Sequence, residues 1–265
     1  MKPARFRYEG PETVQEAVAL LAEHGDEAKV LAGGQSLVPL LNMRMARPTV
    51  LIDINRVVNL DYVSRLDGSV RCGALVRQAR FVGASRLTDQ CLPHVGHYVT
   101  RNRGTVGGSI AHADASAELP LALLVAGGSV VAESTRGRRE IAAEEFFVTH
   151  FTTTLEPDEL LVETVWPETG EAAAFAEVAQ RHGDYALCMA AAVAREGGLR
   201  VGVGAVVDRP ALVEVEPEQP GASAAAQVDP ADRLHASGRY LRHLVAVLVE
   251  RVVTAARAAA AEPGP

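Results

Sequence analysis

A glycine pair closes the apolar run Val30-Leu31-Ala32, and Gln35-Ser36 follow it directly. The arrangement recurs at Thr105-Val106-Gly107-Gly108-Ser109. Paired glycines remove side-chain bulk and permit positive φ. Successive N–H groups can then converge on an anion as a nest. Hydroxyls of Ser36, Thr105 and Ser109 add neutral hydrogen bonds. Neither loop carries the lysine of GxxxxGK[ST], and neither matches GxGxxG opening a Rossmann helix. A ligand held between them is a pyrophosphate gripped mainly by backbone dipoles, without a Walker lysine or a magnesium site. The same residues also suit two plain tight turns, so the loops alone name no ligand.

The surrounding pattern supplies a scaffold. "ARFRYEG" reads as a short strand. "ETVQEAVALLAEHG" reads as a helix, because Val14, Ala17, Val18 and Leu21 share one face. Thr13 and Glu16 fit a capping box, and Gly25 fits the stop. "AKVLA" is a buried strand, "SLVPLLNMRM" a short helix and "PTVLIDIN" another strand, giving a β-α-β-α-β unit over residues 1 to about 55. A hairpin then turns at Asp67-Gly68. "QARFVGASRL" reads as helical. A second hairpin turns at Arg136-Gly137, and "DELLVETVWP" is a further strand. From about residue 169, "FAEVAQR", "YALCMAAAVARE" and "LRVGVGAVVD" predict three antiparallel strands. "EPEQPGASAAAQVDPAD" reads as a loose connection or mobile loop. "HASGRYLRHLVAVLVERVVTAARAAAA" is a long helix, and "EPGP" a frayed tail.

The totals exclude several classes. The net charge of −7 with no basic cluster argues against a nucleic-acid partner. No apolar run reaches the roughly 18 residues of a membrane span, and "MKPARFRYEG" lacks the apolar core of a secretion signal. A cytoplasmic location is expected. The three cysteines, Cys72, Cys91 and Cys188, are far apart and offer no iron–sulfur or zinc spacing, so any redox metal belongs to another chain. His112 and Asp114 are expected to shape their loop, and His182 and Asp184 to make a turn rather than a metal site. Arg101 and Arg103 read as solvated.

"AGGQSLVPLLNMRMARPTVLIDINRV" and "RNRGTVGGSIAHADASAELP" closely resemble the two signatures of the FAD-binding medium subunit of molybdenum hydroxylases, the carbon monoxide dehydrogenase and xanthine dehydrogenase family. The resemblance continues through "DELLVETVWP", "EVAQRHGDYALC" and "LHASGRYLRHLVAVL", so it covers almost the whole chain. It implies an α+β fold. A two-lobed FAD-binding domain of the vanillyl-alcohol oxidase and para-cresol methylhydroxylase type would span residues 1–168, with lobes at about 1–55 and 56–168. A C-terminal domain with a three-stranded antiparallel sheet and helices would span residues 169–265.

The resemblance also implies that Leu31, Ala32, Gly33, Gly34, Gln35, Ser36 and Leu37 wrap the FAD diphosphate with Thr105, Val106, Gly107, Gly108 and Ser109. Glu118 is placed near the adenosine end with Asp114 in the same stretch, Leu161 packs on the flavin side, and Tyr185 lies near the isoalloxazine. No residue is assigned as catalytic or metal-binding. Many relatives have histidine where Gln35 stands, so Gln35 is given no proton chemistry. Ala115 replaces a frequent proline, and segment 214–232 has no role carried onto it. No His or Cys is placed for a covalent link, so the FAD is expected to be non-covalent. Molybdopterin and [2Fe–2S] clusters are expected only in partner subunits, a large and a small chain assembled as a dimer of heterotrimers. The implied role is electron transfer from those clusters to an external acceptor. The alternatives are an autonomous flavin oxidoreductase, with Tyr185 the only group near enough to serve as a base, and a non-catalytic nucleotide-binding protein.

Overall fold

The computed structural model describes residues 2–170, 172–195 and 197–261; residues 262–265, read as a frayed tail, lie outside them. The chain opens with β1 (Arg7–Glu9), α1 (Val14–His24), β2 (Ala28–Leu31), α2 (Leu37–Asn42) and β3 (Val50–Asp53). These strands form a parallel sheet in the order β1-β3-β2. Thr13 caps α1 with the expected capping box, and Val14, Ala17, Val18 and Leu21 are its buried face.

The next unit contains β4 (Val63–Leu66), β5 (Ser69–Gly73), α3 (Arg86–Cys91), α4 (Tyr98–Arg101), α5 (Val106–His112), α6 (Glu118–Val125), β6 (Ser129–Ser134), β7 (Gly137–Ala142), α7 (Ala143–Phe146), β8 (Phe147–Thr149), β9 (Thr152–Thr153) and β10 (Leu160–Pro167). Five of the strands make an antiparallel sheet, β4-β5-β10-β6-β7. Asp67 and Gly68 both have positive φ at the β4–β5 turn, the signature of the twisted two-residue hairpin. The continuous helix expected over "QARFVGASRL" is absent. A 3-10 turn at Gln78–Arg80 is followed by Gly83 at φ +80, and α3 starts only at Arg86, where Ser85 caps it.

The last unit contains β11 (Ala173–Ala179), β12 (Ala186–Arg195), β13 (Gly198–Gly204), β14 (Ala211–Leu212), α8 (Pro220–Ala226) and α9 (Gly238–Ala261). The sheet runs β11-β12-β13-β14, so it has four strands where three were expected. The fourth is only two residues long and carries no period-2 pattern to reveal it. The segment read as a loose connection contains α8, which is docked on α9: a Cβ on Gly221 would lie 2.2 Å from the Ala246 carbonyl oxygen. Proline in its first turn and an alanine-rich body support a short helix, which the acidic and proline-rich flanks concealed.

The central sheet carries a core on each face. Val131, Leu160, Val162 and Val165 pack with Val14, Val18, Ile52 and Ile54 of the first unit. Val130, Ala132, Leu161 and Trp166 pack with α5, α6 and the inward side of the last sheet. The remaining side of that last sheet is covered by α9 through Leu241, Val245, Leu248, Val249 and Val252.

Candidate cofactor site

The first glycine loop joins β2 to α2. Gly34 takes φ +73, which turns the chain where a side chain would strain it. Gly33 is buried, and a Cβ there would lie 2.4 Å from the Arg103 carbonyl oxygen and 2.8 Å from Gly104 Cα. It is therefore the second loop that sits against Gly33. A cavity of about 360 Å³ opens beside this contact, lined by residues 31–35, Val38, Pro39, Asp53, Asn55 and Arg103.

The second glycine pair does not form an open loop with positive φ. Thr105 is the N-cap of α5, and Gly107 and Gly108 lie in its first turn. The Thr105 hydroxyl accepts the Gly108 N–H at 2.9 Å, while the Val106 N–H donates to the Val76 carbonyl. The Gly107 N–H has no carbonyl four residues back within the helix, as first-turn donors do not. The pair serves close approach: a Cβ on Gly107 would lie 2.6 Å from Ala74 Cα, and one on Gly108 would lie 2.6 Å from Thr105 Oγ1. Glycine-glycine reads the same in sequence whether it makes a turn or lets a helix start against a neighbouring strand end.

Ser36, Asp114, Glu118 and Tyr185 form a second group. Asp114 and Glu118 are buried. Burial drives the Glu118 carboxyl up to about 8, and the neighbouring Glu177 and Asp114 add to the rise. Tyr185 is 64% exposed, yet its hydroxyl is raised above the ordinary phenol range. Packing around the oxygen contributes most, then the charges of Asp114 and Glu118, while a hydrogen bond with Ser36 opposes them. The resemblance put Glu118 near the adenosine end and Tyr185 near the isoalloxazine; in the structure the Glu118 charge reaches the Tyr185 hydroxyl. Leu161 is buried in the core with Val106 and Ile110. His112 stacks on Phe151, with ring centroids 4.8 Å apart.

Two expectations of solvated arginine separate. Arg103 is exposed and lines the cavity. Arg101 instead donates to the carbonyls of Pro93, Val95 and Gly96 and so ties the preceding loop together. His182 and Asp184 lie in a turn closed by Arg181, whose Nε donates to Asp184 Oδ2 at 3.0 Å. Among the described residues no cluster of three or more His, Cys, Asp or Glu side chains is placed to hold a metal. The three cysteines are free and buried, and burial pushes the Cys188 thiol up to about 12.

Sequence reasoning missed the polar chain behind the cavity. The Tyr8 hydroxyl donates to Asp53 Oδ2 at 2.8 Å. The Asn55 amide donates to Asp53 Oδ1 at 2.6 Å and to the Ala32 carbonyl at 2.8 Å. Arg77 donates to Asn55 Oδ1 at 2.8 Å and to the Arg103 carbonyl at 2.5 Å. Burial would raise the Asp53 carboxyl, but the Asn55 donors and Tyr8 outweigh it and hold its pKa below the ordinary value. The only local signal is the Asp-x-Asn at the end of β3, an Asx-type cap.

The sequence pattern of the FAD binding domain in molybdopterin dehydrogenase matches residues 4–169. The chain belongs to that family. The 6-hydroxypseudooxynicotine dehydrogenase complex subunit alpha of Paenarthrobacter nicotinovorans is 39% identical over 97% of this chain and 96% of that protein. The nicotine 6-hydroxylase medium subunit of the same organism is 35% identical over 97% of this chain and 99% of that one. Among solved structures, carbon monoxide dehydrogenase from Hydrogenophaga pseudoflava superposes with a TM-score of 0.91 at 31% identity, covering 97% of this chain and 99% of that one. Quinoline 2-oxidoreductase from Pseudomonas putida 86 gives 0.89 at 35% identity, covering 98% and 99%. The family's cofactor is FAD, and the residues present fit it. The cavity sits where the two glycine segments meet, Gly33, Gly34 and Arg103 are in its lining, and a hydroxyl-bearing and acidic group stands at Ser36, Asp114, Glu118 and Tyr185.

Proposed function

We propose that this chain is the FAD-containing electron-transfer subunit of a multi-subunit molybdenum hydroxylase. The observation that carries the reading is the meeting of the two glycine segments at Gly33 and Arg103 beside the cavity. When bound there, FAD supplies the ability to collect single electrons and release them as a pair. The chain's own residues bind and orient it. Residues 31–37 and 105–109 face the diphosphate, with Arg103 adding a positive charge at the cavity rim. Asp114, Glu118 and Tyr185 hold the more distant, hydroxyl-bearing part. No residue is asked to act as nucleophile or base. Residues 1–168 carry these contacts, and the part from 169 onward contributes Tyr185.

Electrons then enter from [2Fe–2S] clusters of a small partner, fed by a molybdopterin centre in a large one, and leave to an external acceptor such as NAD+, a quinone or oxygen. A dimer of heterotrimers is the expected assembly. Relatives are named for nicotine, caffeine and carbon monoxide, so N-heterocycles and carbon monoxide form the substrate panel. The purified chain is expected to bind FAD, identified by the mass of the released cofactor. It should reduce no dye acceptor with any member of the panel until both partners are added. Release of FMN alone would refute the dinucleotide site. Turnover by the chain alone would favour an autonomous flavin oxidoreductase.

A further inference from the structure

We propose that Asn55 and Arg77 are positioning residues that pin the two glycine segments at a fixed separation, and that cofactor affinity depends on this pin: Asn55 stands at the cavity wall, while Arg77, which does not line the cavity, acts through Asn55 and the Arg103 carbonyl. The inference rests on the FAD reading above. Asn55 follows β3 in the first unit, and Arg77 follows β5 in the second, so the bond between them crosses from one lobe to the other. Each residue also holds the main chain of the glycine segment on its own side. Asn55 donates to the Ala32 carbonyl, immediately before Gly33-Gly34. Arg77 donates to the Arg103 carbonyl, immediately before Gly104-Thr105. The path Ala32–Asn55–Arg77–Arg103 is continuous, with contacts of 2.8, 2.8 and 2.5 Å.

The geometry around the path is over-determined. Asn55 is held by Asp53, which accepts both its backbone N–H and its side-chain amide and is itself fixed by Tyr8. The backbone on either side of Arg77 is paired with the second segment. The Val106 N–H donates to Val76, the Gln78 N–H donates to Gly104, and Arg77 itself forms a bridge with Thr105. A ligand that spans both segments needs their spacing fixed before it binds, because ordering them on binding costs affinity. The guanidinium holds its donors in a rigid fork, so Nη1 reaches the Arg103 carbonyl while Nη2 reaches Asn55.

The test uses the full-length chain, stripped of flavin and titrated with FAD while flavin fluorescence is followed. Arg77→Ala, Asn55→Ala and the double variant form a cycle. Arg77→Lys keeps the charge and one donor, and it stands in if Arg77→Ala fails to fold in a thermal melt. Each alanine substitution is expected to raise the Kd for FAD at least tenfold, and the double variant no further than the worse single one, since breaking one link already frees the pin. Arg77→Lys should fall between wild type and Arg77→Ala. Visible circular dichroism of the bound flavin should change in the same order, a readout that loss of stability alone does not move. Unchanged affinity in both alanine variants would overturn the proposal. So would a loss confined to Arg77→Ala, which would make Arg77 a simple charge for the phosphates, and so would additive losses. A wild-type chain that binds no FAD would overturn the cofactor reading and the pin with it.

Discussion

Gly33 is glycine because a carbonyl oxygen occupies the place of its side chain. The obstacle is the Arg103 backbone, 2.4 Å from an ideal Cβ, and backbone does not swing aside as a long side chain does. Gly33→Ala should therefore separate the two segments and abolish flavin retention through purification, read as the 450 nm absorbance per chain. Retention at the wild-type level would show that the segments tolerate separation. Glu118 supports a second prediction at this scale. Its carboxyl is raised to about 8 by burial first, so the folded chain keeps a proton that the unfolded chain has released. That contribution is complete below the ordinary carboxylate pKa and is lost as pH rises toward 8. The flavin-free chain should then lose urea resistance between pH 5 and pH 8. Glu118→Gln should lose at least about 1 kcal/mol less over the same interval, since a tenfold difference in proton affinity between the folded and unfolded chain corresponds to about 1.4 kcal/mol. Parallel curves for the two proteins would refute it.

The elements show what a one-dimensional pattern reveals and what it hides. The α1 capping box, the Asp67-Gly68 hairpin and the strand ending at Pro167 were legible because each rests on local chemistry with a fixed spacing. The two glycine pairs were legible as a site, yet their difference was not. One makes a turn with positive φ at Gly34, and the other opens α5 under the Thr105 cap. Asn55 and Arg77 stayed invisible because their meeting joins residues 22 apart through tertiary packing. Thr105 yields a prediction for the element itself. Its hydroxyl holds the Gly108 N–H, and loss of an N-cap oxygen costs about 1 kcal/mol. Thr105→Ala should lower stability by that amount and weaken FAD binding together, whereas Thr105→Ser should restore both. A stable Thr105→Ala chain with wild-type affinity would separate the cap from the site.

At the scale of the whole molecule, the units that the sequence pattern separates near residue 169 share one apolar core. Every residue of α6 is buried, although it carries the acidic Glu118 at its start. Part of its cover comes from beyond residue 169: a Cβ on Gly202 of β13 would lie 2.6 Å from Val125 Cγ2 and 3.0 Å from Leu121 Cδ1. Met189, Ala191 and Val193 of β12 join the same cluster as Leu119, Leu123 and Trp166. A chain ending at residue 168 would retain all the glycine-segment contacts and still expose the apolar side of α6 that β12 and β13 cover. Such a fragment should not hold native packing or FAD. Trp166 makes this measurable, being the chain's single tryptophan, 1% exposed, packed against Phe81 with the rings tilted by 54°, and donating from its indole nitrogen to Thr164. In the intact chain its emission should be blue-shifted and lost in one cooperative transition. In the 1–168 fragment it should sit at the wavelength of solvated indole, with the fragment binding a hydrophobic dye. A fragment with native emission and full FAD affinity would show that the first 168 residues close their own core, and the cover from β12 and β13 would then be packing without consequence for the site.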